Sequence, residues 1–222
     1  MQALTRTPSS AKHRAHLRWL LLLPISLCFI LAGCGSQGQC LNSERIEQTF
    51  GSYGVDVIQS SNEGRVSSLY SGSGDNKVTR TFAVVKFTGR VRPAFASEHS
   101  QVTSGQSLGA VFKAADWKIE KHNIFVGELE IPGKHTLLSE LMRIGLPQNL
   151  ATHVYLLVIR KHQRSYSYAT ITELHHPDYL LAEDLKDIYG EIIFDDSNRT
   201  SIDDYIDPEI WKNETGDIGH PA

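Results

Sequence analysis

The chain has 222 residues, enough for one domain or a compact pair of subdomains. With 41% hydrophobic and 21% charged residues it has the composition of an ordinary globular protein, which excludes a disordered or collagen-like chain. The net charge of −3 hides an uneven distribution: residues 182–222 hold 3 basic and 12 acidic groups, and such a segment repels phosphate backbones, which argues against nucleic-acid binding.

The first 33 residues form three zones. Met1 to Arg18 is polar and carries Arg6, Lys12, Arg14 and Arg18 without an acidic residue. An apolar run from Trp19 follows, about 14 residues counted to Ala32. Small residues then precede Cys34. A basic segment, a short apolar core and small residues at the end are the marks of a secretory signal. A membrane-spanning helix needs roughly 20 apolar residues, and Pro24 also interrupts this one. The basic segment is long for such a signal, which points to a start codon downstream of Met1.

Leu31-Ala32-Gly33-Cys34 resembles the lipobox of bacterial lipoprotein precursors. The resemblance covers the signal alone. It implies that the Cys34 thiol receives a diacylglyceryl group and that cleavage falls just before it. Each buried methylene of such a chain adds roughly 0.8 kcal/mol, so two or more chains give stable anchoring. In this family an aspartate after the lipidated cysteine retains the protein in the inner membrane; Gly35 stands there instead. The resemblance therefore implies an outer-membrane protein facing the periplasm. Without residues 1–33 the chain holds 18 basic against 25 acidic groups, a net of −7. Cys28 leaves with the signal, so Cys40 is the one unmodified thiol. It is expected either buried and unreactive or joined to a second copy by a disulfide.

Residues 34–42 form the lipidated linker, with Gly35 to Gln39 as a short flexible tether. Asn42 or Ser43 caps a helix to about Phe50. Three strand-like runs follow: Val55 to Ser60, Arg65 to Tyr70 and Lys77 to Phe87. Gly89 to Val102 reads as loop or irregular strand. Leu108, Val111, Phe112 and Ala115 lie on one helical face. Trp117 to Ile131 returns to the strand pattern, and Thr136 caps a helix closed by Gly145 and Pro147. Thr152 to Ile159 is apolar on both faces and predicts a central strand. Tyr166 to Leu174 is its hairpin partner. Leu181, Leu185, Ile188 and Ile192 define a last helix. These elements predict an α+β domain over 43–194, with a mainly antiparallel sheet of five to six strands and three to four helices. Residues 195–222 form an acidic tail, expected to be partly disordered.

Four groups of residues offer chemistry. Gly105-Gln106-Ser107-Leu108-Gly109 matches the nucleophile-elbow pattern, with His175, His176 or His220 as base and Asp178 or Asp187 as orienter. The stretch before it is too polar for the buried strand that motif needs, and the simpler role of Ser107 is a helix cap. Glu173, His175, His176 and Asp178 are a compact set of metal-ligand types, but adjacent strand residues point to opposite faces. Asp195 to Asp207 resembles a calcium loop with Ser201 where glycine belongs and Asp207 where glutamate belongs. Tyr166 and Tyr168 offer a binding patch on one hairpin face. None of these identifies a reaction or a cofactor. The leading expectation is a non-enzymatic binding or assembly factor, held to the membrane through Cys34, whose partner is another envelope component. The alternatives are a lipid-anchored serine hydrolase using Ser107, or a metal- or calcium-binding envelope protein.

Overall fold

The computed structural model describes residues 40–133, 135–190 and Ile192. They build one α+β arrangement. Helix α1 (Asn42–Phe50) precedes strands β1 (Gly54–Ser60), β2 (Gly64–Ser71) and β3 (Val78–Phe87). Helices α2 (Ala96–Thr103) and α3 (Leu108–Ala114) lead to β4 (Lys118–Ile131). Helix α4 (Thr136–Met142), strands β5 (Gln148–Lys161) and β6 (Arg164–His175), and helix α5 (Ala182–Tyr189) follow. The strands form one sheet in the order β1-β2-β3-β6-β5-β4, with every neighbouring pair antiparallel. Two three-stranded meanders thus meet where β3 pairs with β6. The α+β reading with a six-stranded antiparallel sheet holds.

Period-two alternation divides the sheet into two faces. Val66, Phe82, Val84, Leu150 and Leu174 point to one side, where Leu138 and Met142 of α4 cover them. Val85, Tyr155, Leu157 and Ile171 point to the other, against Val102 of α2 and Phe112 and Val111 of α3. On that same side Ile46 of α1 and Leu185 of α5 close over Val126 and Ala151. Strand β5 lies next to the edge strand β4 rather than at the centre of the sheet, and it is buried on both faces from Leu150 to Tyr155, as its lack of alternation predicts. The β5–β6 connection is a two-residue turn, since Lys161 pairs with Arg164. His162 there has φ 56, the positive value a tight hairpin needs at its first central position.

Four local expectations change. Residues 40–42 belong to the fold rather than to a linker: Cys40 is 8% exposed and Asn42 5%. Neither Asn42 nor Ser43 caps α1. The Glu44 carboxylate instead accepts the Leu41 N–H at 3.0 Å, while Asn42 turns into the core. Within Gly89 to Val102, residues from Ala96 onward are helical and form α2. Phe95, His99 and Val102 make its inner face, and the histidine at the middle position hides the apolar period. Tyr168 is 3% exposed and packs edge-on against Phe112 and Phe95, so it belongs to the core rather than to a surface patch. Tyr166 is half-buried against Phe95 and Trp117.

Candidate functional site

The face that carries α1, α3 and α5 holds a cluster of buried polar side chains at the centre of the sheet. Register places them: Glu173 on β6 faces His153 on β5 and Ala83 on β3, and Thr81 faces His175. Glu173 is 5% exposed. Its Oε1 accepts from the Tyr155 hydroxyl at 3.2 Å and from Asn42 Nδ2 at 3.4 Å. Its Oε2 has no hydrogen bond and lies 3.8 Å from Lys121 Nζ and 3.9 Å from His153 Nδ1. Lys121 reaches in from β4 across the rings of Tyr155 and Tyr189, 4.3 and 5.2 Å from their centroids. Asn42 also donates to Thr81 Oγ1 at 3.0 Å and accepts from the Tyr179 hydroxyl at 2.7 Å. Thr81 Oγ1 in turn meets His175 Nδ1 at 3.0 Å.

Protonation in this cluster follows from geometry. Asn123 Nδ2 donates to the Tyr189 carbonyl at 3.0 Å, so its Oδ1 faces His153. His153 Nε2, 2.9 Å from that oxygen, must carry the hydrogen. Nδ1 of the neutral ring is then an acceptor turned toward the Glu173 carboxylate. Burial, followed by the charges of Lys121, His175 and Arg45, pushes the His153 pKa down to about 2. Burial holds His175 at about 4, partly opposed by Glu173. Burial also drives the Tyr155 hydroxyl well above its ordinary value, with the Glu173 charge adding to it. The cluster therefore contains neutral imidazoles, one buried carboxylate and one nearby ammonium.

A cavity of about 70 Å³ opens beside the cluster, between α1, the start of α3 and the sheet. This is far below the roughly 300–1,000 Å³ of pockets that hold drug-sized ligands. Leu69, Val85, Leu108, Ile119, Leu157 and Ile171 make it largely apolar. Glu173, Lys121, Tyr155, Tyr53, Arg65 and Ser107 supply its polar atoms. Arg65 is 4% exposed. Its Nη1 donates to the Val102 and Gln106 carbonyls at 2.7 and 2.8 Å, which fastens the α2–α3 connection to β2. Its Nε has no hydrogen-bond partner. Two buried, oppositely charged side chains thus line one small apolar cavity, each with an unsatisfied atom. Burying such groups costs free energy unless something pairs with them.

Ser107 lines this cavity, but the elbow geometry is not formed. Helix α2, not a strand, precedes it, and its φ of −62° and ψ of 121° are unstrained. Its hydroxyl makes no cap bond to α3, and Ser107 shares the cavity wall with Tyr53. Gly109 is a packing contact: a Cβ there would meet Leu41 at 3.0 Å. None of His175, His176 and Asp178 lines the cavity. His175 and His176 point to opposite faces. His176 Nδ1 accepts the Asp178 N–H at 2.9 Å, while His175 lies against Thr81 and Tyr179. Among the described residues, no three or more His, Cys, Asp or Glu side chains converge as a metal-ligand group. Cys40 is buried at the head of α1, so a bridge through it requires that segment to open. Cys34, His220 and the segment Asp195 to Asp207 lie outside the described residues.

Sequence reading missed Lys121, His153 and Glu173 as a group. The usable signal was a histidine inside the otherwise apolar run Thr152 to Ile159, which must find a polar partner when buried on both faces. No known protein family matches the chain, and no curated protein matches it. No helix among the described residues is long and apolar enough to cross a membrane.

Proposed function

We propose that this chain is a lipid-anchored protein of the cell envelope, on the periplasmic side of the outer membrane, that acts by binding rather than by catalysis. The anchoring half of this reading rests on the lipobox-like residues before Cys34. Palmitate labelling should be lost in Cys34→Ser. Labelling retained in that variant overturns the anchor.

The binding half rests on one observation: the Glu173 and Arg65 side chains line the same apolar cavity, and Glu173 Oε2 and Arg65 Nε are buried without a hydrogen-bond partner. A small ligand with an ammonium or hydroxyl donor for Glu173, an acceptor for Arg65 and an apolar body satisfies both. Calorimetric titration of the full-length protein with short alkylamines and small amino acids tests this. Saturable heat that Glu173→Gln and Arg65→Lys each weaken at least tenfold, about 1.4 kcal/mol, supports the reading. Absence of heat with every member of the set removes it.

The hydrolase reading retains one supporting observation, that Ser107 shares the cavity with Lys121. It lacks a histidine base there and a strained nucleophile turn. Active-site-directed fluorophosphonate is expected to leave the protein unlabelled. Labelling that Ser107→Ala abolishes would restore that reading.

A further inference from the structure

The sheet is electrically polarised along its strands. At the end where β3, β5 and the β5–β6 turn finish, two segments lie side by side, residues 86–95 and 160–168. Their adjacency is fixed by the Thr88 N–H, which donates to the Tyr168 carbonyl at 3.0 Å, and by Phe95, which packs on Tyr166. Together they carry Lys86, Arg90, Arg92, Arg160, Lys161 and Arg164, and no carboxylate. Four carboxylates lie nearby. Glu98 is bonded to Trp117, and Glu120 is paired with Lys118 and Arg160; Asp116 and Glu63 sit in the flanking turns. The opposite end holds Glu128 and Glu130 of β4, with Asp178, Glu183, Asp184 and Asp187 around α5.

Two further features belong to the basic end. Val91, flanked by Arg90 and Arg92, is one of the few large apolar side chains left exposed, at 42%. Next to it, a notch of about 560 Å³ is lined by Ala94, Trp117, Lys161, His162, Arg164 and Tyr166. Lys161 is fixed at its wall by donation to the Ala115 carbonyl at 2.8 Å, with its ammonium over the Trp117 ring. An apolar tip between arginines, beside a cationic notch with an aromatic floor, matches an interfacial layer of anionic headgroups over acyl chains.

We propose that this end is a docking surface for a leaflet of anionic phospholipid, with Val91 entering the headgroup boundary and phosphates seated among Arg90, Arg92, Lys161 and Arg164. The proposal rests on the anchor reading for its setting, and the tether agrees with it. Leu41 packs on Gly109 at the start of α3, and α3 runs from there toward Ala115 at the basic end, about 10 Å at 1.5 Å per residue. The six peptide units from Cys34 to Cys40 span at most about 20 Å. A lipid on Cys34 can therefore reach the plane of the basic end.

The test is hydrogen exchange on the full-length protein in vesicles of phosphatidylcholine alone and of phosphatidylcholine with phosphatidylglycerol. Amides of 88–95 and 160–165 should exchange at least several-fold more slowly on the anionic vesicles, and those of α4 should not change. Molar salt should erase the difference, because it shortens the screening length to about 3 Å. Arg90→Glu with Arg92→Glu should abolish it, and Val91→Asp should weaken it. Equal exchange on both vesicles overturns the proposal. So does protection that is present without anionic lipid and lost on deleting residues 193–222, which would assign the surface to the chain's own acidic segment. So does protection by an oligonucleotide that anionic vesicles do not reproduce. Palmitate labelling retained in Cys34→Ser, with anion-dependent protection unchanged, would leave the docking surface standing while the anchor fails.

Discussion

The two faces of the sheet are built from the same strands and do different things. Under α4 the contacts are apolar: Phe82, Val84, Leu150 and Leu174 meet Leu138 and Met142, and the polar residues there are mostly threonines and serines such as Thr79 bonded to Ser68 at 2.6 Å. Under α1, α3 and α5 the same strands bury Glu173, His153 and His175, set the half-buried Lys121 beside them and leave a cavity there. An apolar layer of comparable size would have been more stable than the charged one. The difference separates a face that is packed with apolar side chains from a face that buries charge beside a small cavity.

The largest effect should come from the apolar face. Leu138 is fully buried, so Leu138→Ala removes contacts that no polar group can replace. It should cost about 2–5 kcal/mol in chemical denaturation, with no change in ligand binding or in pH dependence. A loss below about 1 kcal/mol would mean that α4 is only loosely packed and that the contrast between faces is overstated.

The polar face should respond to single and paired changes differently. Glu173→Gln removes the buried partner of Lys121, whose side chain is 15% exposed, and should cost about 3 kcal/mol, the lower end for such pairs. Glu173→Met combined with Lys121→Met should recover most of that loss, because neither charge then remains. If the double variant is no more stable than the single, the two groups do not act as a pair. The carboxylate is then held chiefly by Tyr155 and Asn42.

The pH dependence sharpens the same contrast. His153 and His175 have folded pKa values of about 2 and about 4, below the ordinary 6.5. Below pH 6.5 the unfolded chain binds protons that the folded protein refuses, so stability falls as pH is lowered. The loss begins near pH 6.5 and continues to about 4 for His175 and about 2 for His153. At pH 5 each histidine should have cost about 2 kcal/mol. Denaturation midpoints from pH 7.5 to 5 should show this slope, and His175→Gln should remove one proton's share of it. Buried His99 and His176 shift in the same direction and add to it. A flat profile would mean that the cluster opens to solvent and is no cost to the fold.

How far these faces were legible in the sequence follows from their chemistry. A continuous apolar run marked β5, and apolar period marked the helix faces of α3 and α5, because burial of aliphatic side chains writes itself as spacing. Helix α2 escaped because His99, bonded to Tyr168 at 2.9 Å, occupies an inward position with a polar residue type. The same disguise hid the cluster: Lys121 and Glu173 lie 52 positions apart, and only the β4–β5–β6 register brings them together. The basic end was hidden likewise, since Arg90 and Arg92 come from one connection and Arg164 from another.

Ser107 supplies the smallest effect and the closest test of the polar face. It was the sequence's best nucleophile, yet it sits in an unstrained turn ahead of α3, makes no cap bond and shares the cavity wall with Tyr53. Ser107→Ala should therefore cost at most about 1 kcal/mol. It should also leave the half-buried Tyr53 at the cavity wall, open to a ligand. If the cavity binds, Ser107→Ala should alter affinity modestly and leave the Glu173 dependence intact. If instead Ser107→Ala abolishes binding while Glu173→Gln spares it, the polar centre of the cavity lies at the α2–α3 turn. The buried carboxylate would then be structural, and the assignment of roles within this face would have to be reversed.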